Sequence, residues 1–162
     1  MRRYEVRDYR SGDASGTFAV FVAAVTVTAS ADYSTAQIAA WSRPEERDLV
    51  SWDRTMSERH SFVAVVDREI VGFSDVSADG HIDMMFVAPQ HTRQGVARRL
   101  LAALEAHARS LGVRRLSADV SVTARPFFTR HGFLVEAEQH PVIGDVQMIN
   151  YRMTKVLTDC SM

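Results

Sequence analysis

The stretch Met85-Phe86-Val87-Ala88-Pro89-Gln90-His91-Thr92-Arg93-Gln94-Gly95-Val96-Ala97-Arg98-Arg99-Leu100-Leu101 decides how this chain is read. A short apolar run, Met85 to Val87, ends at Pro89, which cannot donate to a sheet ladder. A polar loop follows. From Val96 the apolar period changes: Val96, Leu100, Leu104 and Leu111, with Leu101 beside them, recur near multiples of 3.6 and predict an amphipathic helix. Gly112 is its stop signal. The loop therefore delivers the chain into a helix N-terminus, where backbone N–H groups lack partners and the dipole is positive. Such an end is an anion site, suited above all to a pyrophosphate. Gly95 and Ala97 are small enough for phosphate oxygens to approach the backbone. Arg93 and Arg98 add positive charge. A glycine at 95 also serves simply to turn strand into helix, so these residues alone leave both readings open. No Gly-Lys-Ser/Thr tripeptide follows, which excludes a Walker loop, and a single glycine does not make a dinucleotide fingerprint.

On the N-terminal side, Tyr4 to Tyr9 reads as a first strand and Ser11-Gly12-Asp13 as the start of a helix reaching about Thr28. Ser34 or Thr35 caps a short helix ending near Trp41. Pro44, with Glu45 and Glu46 after it, predicts a helix from residue 44 to about Arg59. Phe62–Val66 and Ile70–Val76 are strands of a hairpin turning at Asp67-Arg68-Glu69. Asp79-Gly80 is a second turn, and Ile82–Val87 is the next strand. Beyond the long helix, Leu116, Ala118 and Val120 alternate along a strand. Ser121 or Thr123 caps a helix that carries Pro126 in its first turn and stops at Gly132. Phe133–Glu138 and Val146–Met153 are predicted as closing strands. The order β, helices, βββ, α, β, α, ββ predicts a mixed α/β fold, a central sheet of about seven strands flanked by helices.

The length of 162 residues suits one domain, assigned to 1–155, with 156–162 as a flexible tail. A net charge of -1 gives no strongly basic footprint, so nucleic acid is not an expected partner. Cys160 is the lone cysteine, which rules out an intramolecular disulfide or a cysteine-held zinc. The histidines show no ligand spacing, and no metal is expected. A reducing, cytoplasmic compartment fits. No apolar run is counted as long enough for a membrane span; Phe18–Val27 is read as a buried helix.

The segment Val87-Ala88-Pro89-Gln90-His91-Thr92-Arg93-Gln94-Gly95-Val96-Ala97 resembles the acetyl-CoA signature of the GNAT (Gcn5-related N-acetyltransferase) family. That signature is Gln/Arg-x-x-Gly-x-Gly/Ala after a Val-x-Pro strand exit. Gly95 and Ala97 hold its last two positions, and Thr92 stands where the family has glutamine or arginine. Ala124-Arg-Pro-Phe-Phe-Thr-Arg-His-Gly132-Phe133 resembles the family's Ala-x-x-Phe-Tyr-x-x-x-Gly-Phe block, with Phe128 at the tyrosine. The hairpin Asp67–Phe73 is also typical. The likeness spans about Ser61 to Met153 and is vague before it, where the family varies its acceptor site.

The resemblance implies an N-acetyltransferase with acetyl-CoA as cosubstrate and direct attack by a primary amine of a small molecule or peptide. It also implies that the strands Ile82–Val87 and Arg115–Val120 splay to admit the pantetheine. The cofactor residues it implies are Phe86, Val87, Arg93, Gln94, Gly95, Val96, Ala97, Arg98 and Phe128. For the base there are two candidates. His81 opens the fourth strand near a position where some members carry a glutamate, and histidine titrates in the useful range. Asp83 lies two residues on, on the same face if the strand is regular. A solvated hairpin end explains both residues equally well. Phe128 cannot protonate a departing thiolate as the family's tyrosine is proposed to do. Phe128 and Thr92 are the support for a rival, a non-catalytic acyl-CoA-binding regulatory module; a protein-modifying acetyltransferase is a third reading. Tyr33, Trp41 and Trp52 belong either to the acceptor pocket or to ordinary core. Homodimerisation is left open.

Overall fold

The computed structural model of the protein describes residues 3–158. Strand β1 (Glu5–Asp8) leads through a 3-10 turn into α1 (Ala14–Thr26), then α2 (Thr35–Ser42) and α3 (Leu49–Glu58). The hairpin β2 (His60–Val66) and β3 (Glu69–Val76) precedes two short strands, β4 (His81–Ile82) and β5 (Met85–Val87). There follow α4 (Val96–Ser110), β6 (Arg115–Ser121), α5 (Arg125–Arg130) and β7 (Leu134–Gln139). A small ribbon of β8 (Val142–Ile143) and β9 (Val146–Gln147) leads to β10 (Asn150–Val156). The mixed α/β class is as expected, but the sheet is not continuous. Two four-stranded sheets form, ordered β1-β2-β3-β5 and β4-β6-β10-β7. The expected strand Ile82–Val87 is broken between them, and the expected strand Val146–Met153 is interrupted at Met148 and Ile149.

The local choices follow from side chains that satisfy backbone groups. Ser34 caps α2 by accepting from Gln37 N–H, while the Gln37 side chain accepts from Ser34 N–H, a reciprocal capping box. The helix expected from Pro44 begins later. Arg43 ends α2 in a left-handed conformation, and Asp48 caps α3 by accepting from Ser51 N–H at 2.8 Å. A carboxylate cap sets that helix start more firmly than a proline, which only tolerates it. The β2–β3 turn has positive φ at both Asp67 and Arg68, the mirror-image turn whose twist matches a hairpin.

Strand β2 is buried on both faces, which explains its nearly continuous apolar sequence. Phe62, Ala64 and Val66 join Val96, Leu100 and Leu104 of α4 in one core cluster. Val63 joins Phe21 and Val25 of α1, Trp52 and Met56 of α3, and Phe73 in a second. Leu111, counted in the helical period, lies beyond the end of α4 and is exposed. Residues 11–31 form a helical run containing an 18-residue window of mean hydropathy 1.6, long and apolar enough by composition to cross a bilayer, which corrects the expectation that no run reaches that length. Serines, threonines and glycines interrupt the run and hide its length in the sequence. Here α1 serves as a core helix: Val20, Phe21 and Val25 are buried against the sheet and α3. The first residues of the expected tail are ordered, because Val156 ends β10 and Leu157 is buried with its N–H on Arg114 C=O; residues 159–162, Cys160 among them, lie outside the described residues.

The start of α1 depends on a partly buried ion pair. Arg7 donates two hydrogen bonds to Asp13, at 2.8 and 3.0 Å, and Asp13 also accepts from Arg10 N–H. The Arg7 guanidinium, ahead of the Arg10 N–H, holds the Asp13 carboxyl below the usual carboxylate range despite its burial. A depressed folded pKa gives stability that is present above the unfolded value and lost as pH falls through the folded one. Asp13→Asn is expected to cost about 1–3 kcal/mol at pH 7. In urea denaturation the gap between variant and wild type should be undiminished down to pH 5 and should close as the pH falls below about 4; a gap independent of pH would show that the pair is not its source.

Candidate active site

Between Ile82 and Met85 the chain changes sheets. His81 and Ile82 pair in parallel with Ser117 and Ala118 of β6. Met85, Phe86 and Val87 pair antiparallel with Ser74, Phe73 and Gly72 of β3. The transition is pinned from below by β3 and the end of α3. Asp75, fully buried, accepts from Asp83 N–H at 2.9 Å and from Arg59 Nε at 2.9 Å. Arg59 Nη2 donates to His81 C=O at 2.8 Å. Met84 C=O accepts from Ser74 Oγ and from Asp75 N–H. Burial pushes the Asp75 carboxyl up, against the pull of Asp83 N–H and Arg59. Gly80 seats β4 against β6: at φ 92° a Cβ there would lie 2.6 Å from Arg115 C=O. No other residue fits that approach.

The parting leaves two strand edges facing one another. Asp75 N–H bonds Met84 C=O and Ala88 N–H bonds Val71 C=O. Alternation therefore turns the backbone groups of Met85 and Val87 away from β3, toward β6. On β6, pairing with β4 stops at Ala118, so the same edge from Asp119 to Ser121 is unpaired among the described residues. Open edges of this kind take an extended partner through main-chain hydrogen bonds.

A cavity of about 850 Å³ runs from this gap to the start of α4. Its walls include Phe86, Val87, Thr92, Arg93, Gly95, Val96, Ala97, Arg98, Phe128 and Arg130. Gly95 is the N-cap of α4 at φ 83°, where a Cβ would meet nothing closer than the Arg98 guanidinium at 3.9 Å. Glycine is needed there for the left-handed backbone, which costs an L-residue about 1–2 kcal/mol, and the space above it is open. A second cavity of about 370 Å³ adjoins the first. Trp41, Met85, Phe86, Ser121, Ala124 and Phe128 line both. The smaller cavity adds Asp83, Asp119, Tyr33, Arg47 and Asn150. Phe128 is buried and meets Phe127 and Phe133 edge-on, so the boundary between the cavities is apolar.

The structure gathers most, not all, of the residues singled out in the sequence. Phe86, Val87, Arg93, Gly95, Val96, Ala97, Arg98 and Phe128 line the large cavity. Gln94 does not; its Oε1 accepts from Tyr4 Oη at 2.7 Å. Because that hydroxyl has one proton, it receives at His91 Nδ1, 3.0 Å away, and His91 is the donor. Tyr4, just before β1, thus holds the loop before α4, a role with no local sequence signal. Asp83 lines the small cavity and His81 does not. The strand is not regular past Ile82, so the expected shared face is lost. The His81 imidazole lies with Nδ1 2.9 Å from Ser117 Oγ and Nε2 3.8 Å from Asp119 Oδ2. Asp119, missed in the sequence because it reads as an exposed strand residue, is held by Gln139 and Arg152. Tyr33 and Trp41 line the small cavity, whereas Trp52 is core and donates from Nε1 to Thr17 Oγ1. Among the described residues no group of three acidic, histidine or cysteine side chains is placed to hold a metal ion.

A parted sheet with an anion-receptive helix start at one end and an acidic cavity at the other defines an acyl-carrier-dependent transferase site. Residues 29–155 match the family model of the acetyltransferase (GNAT) domain. The chain is 36% identical over 153 residues to the N-acetyltransferase YafP of Escherichia coli (strain K12), covering 94% of this chain and 96% of that one. It superposes with a TM-score of 0.90 on a GCN5-related N-acetyltransferase of Rhodopseudomonas palustris, at 31% identity over 94% of this chain and 95% of that one. The PaiA N-acetyltransferase of Thermoplasma acidophilum, solved in complex with coenzyme A, shares the fold at a TM-score of 0.75 and 20% identity over 96% of this chain and 99% of that one. The chain belongs to the GNAT family of N-acetyltransferases.

Because Asp75 and Arg59 jointly hold the segment where the sheets part, removing the carboxylate should disturb both stability and the site. Asp75→Ala is expected to cost about 3 kcal/mol, measured by urea denaturation, since it strands Arg59 and the Asp83 N–H. Asp75→Asn keeps an acceptor for that N–H and removes a buried charge, so it should cost clearly less. Equal costs would show that the hydrogen bond to Asp83 contributes nothing.

Proposed function

We propose that this protein transfers the acetyl group of acetyl-CoA directly to a primary amine of a small molecule seated in the cavity beside Asp83. The observation that carries the reading is the pair of unpaired edges, Met85–Val87 and Asp119–Ser121, that leads from the start of α4 to the small cavity. A pantetheine arm is an extended chain with amide donors and acceptors, and it fits such a gap as a strand would. The N–H groups opening α4, with Arg93 and Arg98, suit the pyrophosphate. Solved relatives of the fold hold coenzyme A, and the YncA structure of Salmonella typhimurium holds acetyl-CoA.

The step balances without an acyl-enzyme. An ammonium acceptor gives a proton to Asp83, directly or through one water. The free amine attacks the thioester carbon, a C–N bond forms, the C–S bond breaks, and the thiolate leaves. The second amine proton passes to solvent. A thiol has a pKa near 8.5, roughly, so departure as thiolate needs no dedicated acid, and Phe128 need only exclude water beside the thioester. Phe128 also favours the second reading, a binding module that has lost transfer. Acetylated product from any amine in a broad panel, detected by mass spectrometry, removes that reading.

Calorimetry tests the cofactor assignment. Gly95→Glu, folded by circular dichroism, is expected to lose acetyl-CoA binding, because a carboxylate would stand where the pyrophosphate lies. Unchanged affinity would move the phosphate site elsewhere.

The base is tested on the best acceptor of the panel. Asp83→Asn should lower kcat by ~10²-fold or more and leave acetyl-CoA affinity intact, as expected for a positioned proton acceptor. His81→Ala, acting behind Asp119, should lower it by less than about tenfold. The reverse ranking would assign the proton to His81.

A further inference from the structure

Arg47 is a charge in the small cavity that the transfer step does not use. It lies in the segment between α2 and α3 and is half-buried. Its Nε donates to Ser42 C=O at 2.9 Å and its Nη2 to Trp41 C=O at 3.0 Å. These bonds cap the end of α2, which accounts for part of the guanidinium. Nη1 makes no hydrogen bond, and the side chain no ion pair, among the described residues. The guanidinium rests 4.7 Å above the Phe21 ring. Phe21 meets Phe86 edge-on at 5.1 Å, and Phe86 lies 6.0 Å from Trp41. Burial, followed by the neighbouring Arg43, holds the Arg47 pKa below its ordinary value, and the half-buried cation has no anionic partner among the described residues.

The rest of the cavity has the opposite sign. Asp83 and Asp119 line it, and Arg47 is the one basic residue among those described on its wall. A multiply charged anion would meet those two carboxylates. A single carboxylate meets one planar guanidinium, which it matches in shape and charge. We propose that the acceptor carries its own carboxylate: its amine lies beside Asp83, its apolar body against Phe21, Trp41 and Phe86, and its carboxylate on Arg47. This rests on the acetyl-transfer reading and adds the acceptor's chemical class to it.

The test is a ladder of straight-chain ω-amino acids from β-alanine to 6-aminohexanoate, with 4-(aminomethyl)benzoate, each paired with its carboxamide. Two readouts are taken: acetylated product by mass spectrometry, and calorimetric binding to the protein saturated with coenzyme A. At least one acid should surpass its amide tenfold or more in affinity, with the difference in KM rather than kcat wherever transfer is seen. Arg47→Gln should bring that ratio to within about twofold while acetyl-CoA affinity is unchanged, because Arg47 does not line the larger cavity. Arg47→Lys, which keeps the charge and one carbonyl bond but loses the fork, should give an intermediate ratio and serves if the glutamine variant melts early. Acids and amides that bind alike, wild-type protein that binds no acid of the ladder, or a preference that survives Arg47→Gln would each overturn the proposal. The two failures are separable. If no amine is acetylated but acids still bind through Arg47, the transfer reading falls and with it the acceptor assignment, leaving only a carboxylate site on Arg47; if neutral amines are acetylated and acids are not preferred, the transfer reading stands and this proposal falls.

Discussion

The backbone hydrogen bonds of residues 81–88 are shared between two sheets, and the functional architecture follows from that division. His81 and Ile82 pair with β6, with His81 also bonded back to Ser77; from Met84 the bonds go to β3. A strand cannot lie flush with two neighbours that diverge, so the segment crosses between them and leaves an edge open on each. The crossing is costly because it frees backbone groups in the interior. The Asp75 carboxylate accepts from Asp83 N–H, while Arg59 and Ser74 add second hydrogen bonds to His81 C=O and Met84 C=O, which also accept from Ser77 N–H and Asp75 N–H. Asp75 is a fully buried carboxylate whose Oδ2 has no hydrogen-bond partner among the described residues. A domain built for stability alone would not keep it, since an apolar pair of similar volume is often as stable. Its retention is understandable if the open gap is what it maintains.

Charge is laid out along the gap in a consistent order. The cationic end holds the start of α4 with Arg93, Arg98 and Arg130. The acidic end holds Asp83 and Asp119. Between them Trp41, Phe86 and Phe128 form an apolar neck. An anionic carrier bound at one end and a cationic amine at the other would meet there, away from bulk water. In such surroundings catalysis rests on holding two reactants in line and on removing one proton. That division of labour also explains how phenylalanine can occupy position 128. On the proposed direct transfer the Phe128 ring closes the neck, and no hydroxyl is required of that position.

Several features were legible because they depend on neighbours in sequence. The period of Val96, Leu100 and Leu104 marks α4 and its buried face. Gly95 at the head of that helix and Gly132 after α5 are where the backbone turns left-handed. The apolar run of β2 follows from burial on both faces. Elsewhere a distant partner decided what a local signal left open or suggested otherwise. Pro44 opens no helix because the Asp48 carboxylate caps the chain four residues later. Gln94 reads as a phosphate-loop residue but is taken by Tyr4. His81 reads as a catalytic histidine at a strand end but turns to Ser117 and Asp119. Phe18–Val27 reads as a buried helix, and α1 does find its apolar partners in α3 and the sheet, although the apolar run is longer than the sequence suggests.

By itself the sequence determined the order of helices and strands, the glycine-led helix start after Pro89, and the family, because these reside in residue type and short spacing. Only the tertiary structure decided that Ile82 and Met85 belong to different sheets, that Asp83 and not His81 lines the small cavity, and that Arg47 lines that cavity together with two carboxylates. These depend on where β3, β6 and the α2–α3 segment lie relative to one another. That placement is set by burial of Phe73, Trp52 and Phe21 and by the Asp75–Arg59 pair, contacts between residues far apart in the chain whose energies no local pattern encodes.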